Sequence, residues 1–189
     1  MPNFFSAFTN DAFRPLATLL IPGVIGISTW FVALMWQFPK LHDLVTQNHT
    51  ESGFVLFLVT VFAGIVLEDI GARWEFQLDA WADERTKNEH GKNWVRYLQT
   101  AFKSDPVGRR YARTLVLRLK FELGTAFAMV CAALGLIWLA TLGLGFWATS
   151  LLELLCFVFT VWPLKEAKDT HKVLSKTRAI LLGDIRVVE

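Results

Sequence analysis

Four stretches of this chain are long and apolar enough to cross a bilayer, and nothing else in the sequence constrains it as much. A spanning helix needs about 20 mostly apolar residues to cover roughly 30 Å of hydrocarbon. The first stretch runs from about Leu16 to Phe38 and the second from about Gly53 to Ile70. The third runs from about Phe121 to Gly145 and the fourth from about Ser150 to Leu164. The second and fourth are short, and both can continue as helix into polar sequence. Composition agrees: 19% of the 189 residues are charged and 53% apolar, with sixteen Phe and eight Trp. That content excludes intrinsic disorder, and two Cys exclude a disulfide scaffold. The predicted fold is an all-α integral membrane protein with four transmembrane helices.

The placement of Lys and Arg sets the expected orientation. The loop between spans one and two holds only Lys40, and the loop between spans three and four holds none. Arg73 to Lys120 holds eleven, the tail from Lys165 six, and Arg14 precedes span one. Both termini and the central segment are therefore expected in the cytoplasm of a bacterial-type inner membrane. Trp36 and Trp147 then fall at the outer interface, Trp74 and Trp162 at the inner one, as an aromatic belt requires. The first 13 residues carry no Lys or Arg and do not read as a signal peptide. Phe4, Phe5, Phe8 and Phe13 point instead to an interfacial segment.

The pattern divides the chain into an interfacial N-terminus (1–15), a first hairpin (16–72), a cytoplasmic stalk (73–120), a second hairpin (121–164) and a C-terminal helix (165–189). Trp74, Leu78 and Trp81 keep helical spacing, so span two should run on to about Arg85. Asn88 to Asn93 reads as a turn, followed by a short helix with Trp94, Val95, Leu98 and Phe102 on one face. Asp105 as N-cap and Pro106 at the first helical position start a long helix that enters span three. The stalk between spans two and three is thus expected to be an antiparallel helix pair. In the tail, Val173, Leu174, Leu181 and Leu182 are the apolar residues, and Gly183 is a stop signal.

The chemistry-bearing residues gather where span two meets the stalk. On a helix, Glu68, Ala72, Glu75, Asp79 and Asp83 share one face, and Asp69 and Arg73 are paired four apart. The third helix carries Arg110, Arg113, Arg118, Lys120 and Glu122 at the same boundary, with Arg118 and Glu122 again four apart. An acidic strip then meets a basic one. One reading is ion pairing that sets helix register, with basic groups near anionic headgroups. The other is a functional polar site at Glu68, Asp69, Arg73 and Glu122, because ionisable groups at membrane depth are costly. Glu153 is a further odd carboxylate, just inside the outer end of span four and within reach of Thr149 and Ser150; it either snorkels to the outer surface or faces inward in a pore or helix interface.

Glu68-Asp69-x-x-x-Arg73 resembles the Glu-Glu-x-x-x-Arg element of the CAAX-type intramembrane proteases. That family also uses histidines on later membrane helices, and spans three and four here have none. The same run is loosely similar to the Asp-rich motif of the CDP-alcohol phosphotransferases, without its spaced aspartates. Cys131 and Cys156 lie mid-span with no His nearby, and read as small apolar residues. The sequence carries no phosphate loop, no Cys-x-x-Cys and no nucleophile elbow. No cofactor, no metal and no nucleic-acid partner is expected.

Gly124, Ala128 and Ala132 recur every four residues on span three, and Gly135 continues this small face. Such faces pack helices closely, within a bundle or between subunits. Pro22, Gly23 and Gly26 predict a kink in span one. The expected function is non-enzymatic: a homo-oligomeric module that forms a pore or perturbs the bilayer. A cytoplasmic protein partner would bind the stalk at Trp81, Trp94, Tyr97 and Phe102. Membrane effectors and anchors of bacterial defence modules share this layout, by architectural analogy. The alternative is an intramembrane enzyme or small transporter built on the polar cluster.

Overall fold

The computed structural model describes residues 4–85, 107–143 and 145–181, with Lys92, Val95 and Arg96. The predicted short helix after the stalk turn and the stop at Gly183 lie outside the described residues. The described chain is helical. Helix α1 is Phe4–Gln37, α2 Pro39–Gln47 and α3 His49–Arg85. Helix α4 is Val107–Thr141 and α5 is Phe146–Leu181. Four of them, α1, α3, α4 and α5, contain segments long and apolar enough to cross a membrane. At 1.5 Å per residue α3, α4 and α5 are each about 52–56 Å long. Each therefore runs well past its apolar stretch into charged sequence, and all three do so at the same end, called here the polar end.

Contacts give the directions. Leu19 lies against Gly64 and Gly23 against Thr60, so α1 and α3 are antiparallel. Pro22 meets Gly124 and Gly26 meets Ala128, so α1 and α4 run parallel. The hydroxyl of Thr29 donates to the Ala132 carbonyl at 3.0 Å, and Trp30 Nε1 to the Cys131 carbonyl at 2.9 Å. Helix α5 returns antiparallel along α4. The turn between them needs Gly143, which sits at φ 93°, a conformation that costs L-residues strain.

The layout departs from the sequence reading in three places. The N-terminal segment is not a separate interfacial piece: α1 is one helix from Phe4, through Pro22, to Gln37. The first hairpin loop contains a helix, α2, with no buried residue and with Leu41, Leu44 and Val45 on one face. The polar end is more than a pair of α3 and α4. Its apolar core joins Ala112, Leu115, Leu119 and Leu123 of α4 to Ala167 and Leu174 of α5. The C-terminal segment forms the last turns of α5, span four continuing through Pro163 into polar sequence as its pattern allows. There Leu174 is buried while Val173 is exposed.

Helix α4 is the hub, packing against α1, α3 and α5. A second small core, Ala33 with Leu136 and Leu139, closes the hairpin end, with Trp138, Leu142 and Cys156 against it. Backbone approach is closest between α1 and α3. A Cβ on Gly64 would overlap the Leu19 carbonyl oxygen, and one on Gly23 the Thr60 carbonyl oxygen. Gly53, on the same helix as Gly64, has nothing within 4 Å. Gly64→Ala should therefore destabilise the protein by about 1–3 kcal/mol through overpacking. Gly53→Ala should be neutral or raise stability by up to about 1 kcal/mol. Thermal melting of both variants in one detergent checks this, and equal effects would contradict the α1–α3 crossing.

Candidate functional site

The charges at the polar end sort onto different helix faces. Lys120 Nζ on α4 donates to Glu68 Oε1 on α3 at 2.6 Å, with each side chain about one-third exposed (36% and 33%). Asp69 and Arg73 lie on the adjacent face of α3, Asp69 about 100° round from Glu68. They pair with each other at 3.0 Å and point outward, 64% and 80% exposed. On the opposite side of α4, Arg118 Nε donates to Glu122 Oε1 at 2.6 Å and Arg118 Nη2 to Glu166 Oε2 of α5 at 2.8 Å. The Thr170 hydroxyl donates to Glu122 Oε2 at 2.9 Å. Glu122 is buried with both oxygens engaged, as a desolvated carboxylate requires.

A second polar group lies further along. His171 Nε2 is 2.7 Å from Asp79 Oδ1, linking α5 to α3. His171 and Arg178 are buried on the same face of α5 as Ala167, Thr170 and Leu174. Glu75 is half-buried among the charges of Asp79, Arg178, Lys120 and His171.

Several expectations change. Arg118 does not oppose Glu68 or Glu75, because its side chain turns away from α3 to Glu122 and Glu166. Among the described residues, Lys120 is the α4 cation that hydrogen-bonds a carboxylate of α3. Glu75 and Arg113 make no direct hydrogen bond among the described residues. Glu68, Asp69, Arg73 and Glu122 do not converge on one cavity, since three helix faces separate them. Glu153 is half-exposed and takes no hydrogen bond from Thr149 or Ser150; the Thr149 hydroxyl turns back to the Gly145 carbonyl. The small face of Gly124, Ala128, Ala132 and Gly135 is buried within this one chain. Helix α1 covers it, with Pro22, Gly26 and Thr29 as its contacts. Of the aromatic candidates, Trp81 is exposed, edge-on to Trp74 at 6.5 Å. Trp94, Tyr97 and Phe102 lie outside the described residues.

A half-open groove of about 380 Å³ separates α4 and α5 beside the Arg118 network. Phe121 and Thr125 form its α4 wall, and Phe159, Trp162 and Pro163 its α5 wall. Arg118, Glu122 and Glu166 close its polar end. Among the described residues no group of three His, Cys, Asp or Glu could hold a metal ion.

Sequence reasoning missed Glu166, Thr170, His171 and Arg178. The signal was present as the helical repeat 167, 170, 171, 174, 178, but its polar members disguise it as a solvated tail. Comparison with known protein families, curated proteins and solved structures finds no match to this chain.

The Glu68–Lys120 bridge is directly testable. A single reversal, Glu68→Lys or Lys120→Glu, should lower the melting temperature, and the double reversal should recover part of the loss. A coupling of about 1 kcal/mol is expected for so partly desolvated a pair. The cycle between Glu68 and Arg118 should show none. Equal coupling in both cycles would contradict the assignment of Arg118 to α5.

Proposed function

We propose that this chain is a non-enzymatic, multi-pass module of a bacterial-type inner membrane. It works as a homo-oligomer that opens or perturbs the bilayer, and its cytoplasmic end receives the controlling partner. The observation that carries this reading is the asymmetry of α5. Its last turns are buried against α4, with His171 reaching Asp79 of α3, while its apolar span contacts chiefly α4 and exposes Leu151, Leu154, Leu155 and Val158. A span held at one end and uncovered along its length is suited to pack against copies of itself. The pairing of Glu68 with Lys120 and of Glu122 with Arg118 and Thr170 supports a structural role for these charges. The bias of 18 basic residues among 19 toward one end supports cytoplasmic termini. Trp81, exposed on α3, is available to a partner.

Two measurements test this. Reporter fusions at Asn48 and Thr149 should read outside, and fusions at His90 and Glu189 should read cytoplasm. An outside signal at His90 would overturn the layout.

For assembly, single cysteines replace Leu151 or Val158 in a Cys131→Ser, Cys156→Ser background. In vesicles they should form disulfide-linked dimers on oxidation, and the protein should release an entrapped dye. Glu68→Gln, nearly isosteric, should keep both properties. A protein that stays monomeric and releases no dye would defeat the reading. An assembled but inactive Glu68→Gln would move the function to the polar cluster.

A further inference from the structure

The groove between α4 and α5 has a chemistry that goes beyond self-association. It lies where both helices change from apolar to charged sequence. Arg118 to Thr125 and Phe159 to Glu166 each cover seven residue steps, about 10 Å of helix. Over that length the walls pass from Phe121 and Phe159 to a guanidinium and two carboxylates. An aromatic residue at the rim, Trp162, is 60% exposed, as is usual at the headgroup level of a membrane.

The unused polar atoms define the ligand. Glu122 is spent on Arg118 and Thr170, whereas Glu166 uses only Oε2. Pro163 has no N–H to offer the Phe159 carbonyl one turn earlier. The Thr125 hydroxyl is buried on the α4 wall and has no hydrogen-bond partner among the described residues. Other helical threonines of this chain, Thr60, Thr160 and Thr177, bond the carbonyl four residues back. The groove therefore offers two acceptors, Glu166 Oε1 and the Phe159 carbonyl, beside a Thr125 hydroxyl that can accept or donate, and its three charged residues sum to −1. Arg118 keeps N–H donors beyond the two it uses, enough to meet a phosphate beside the carboxylate.

We propose that the groove between Thr125, Phe159 and Glu166 binds a phospholipid whose headgroup ends in a primary amine, as in phosphatidylethanolamine. The ammonium donates to Glu166 and the Phe159 carbonyl, the phosphate accepts from Arg118, and the chains leave along Phe121. A choline headgroup has the same charge but no N–H to donate. A glycerol headgroup leaves the phosphate charge unbalanced against the net negative site.

The test uses the full chain in nanodiscs of equal parts phosphatidylethanolamine, phosphatidylcholine and phosphatidylglycerol. Native mass spectrometry counts the lipids that the released protein retains. The ethanolamine lipid should be retained in preference to both others. Glu166→Gln should weaken that retention about tenfold, as expected for loss of one charge-assisted hydrogen bond, and bring it to the choline level. Thr125→Leu, which fills the groove from the other helix, should abolish the preference without touching a charge. It stands in if Glu166→Gln does not fold. Equal retention of the three lipids, preference for phosphatidylglycerol, or an unchanged preference in a folded Thr125→Leu would each overturn the proposal.

Discussion

A helix surrounded by hydrocarbon gains nothing from touching an apolar neighbour rather than a lipid chain. What holds spans together is close contact between backbones and the few polar bonds that hydrocarbon cannot replace. The apolar half of this protein is joined by contacts of that kind. Gly23 and Gly64 bring α1 and α3 so close that one Cβ would not fit. Gly124, Ala128 and Gly135 let α1 lie along α4, where Thr29 and Trp30 donate to carbonyls of α4. With α1 seated in this way, α4 becomes the element on which the rest is built.

The polar end uses a different set of forces. There charged side chains surround an apolar core between α4 and α5, and burial of that core contributes in the usual way. The pairs made by Lys120 and Arg118 lie at the level of that core, with Glu68 and Lys120 about one-third exposed and Glu122 buried. Lys120 holds α3 and Arg118 holds α5, from opposite sides of α4. The two halves of the molecule are thus joined by charges that serve different neighbours.

How far all this was legible depends on the kind of signal. Span positions were legible because twenty apolar residues have no other stable use, and the continuation of span two past Arg73 was legible from the spacing of Trp74, Leu78 and Trp81. Pairs within one helix were legible too: Asp69 with Arg73 and Arg118 with Glu122 follow from four-residue spacing alone. Pairs between helices were not, because the relative rotation of two helices leaves no trace in either one's periodicity. Arg118 could be placed on α4 but not aimed at Glu166. The small face of α4 had the same difficulty, since four-residue spacing serves a partner in the same chain or in another copy. His171 and Arg178 were hidden for the opposite reason: a buried face containing a His and an Arg looks like solvated sequence until its charged neighbours are seen.

Helix α5 also works as a lever. Pro163 interrupts its hydrogen bonding where the buried polar turns give way to the apolar span. From there to Phe146 is seventeen residues, an arm of about 25 Å. Pivoting by about 10° at the proline displaces the far tip by about 4 Å, while Thr170, His171 and Leu174 stay where they are. The groove lies at this same proline, with Thr125 and Phe159 facing each other across it.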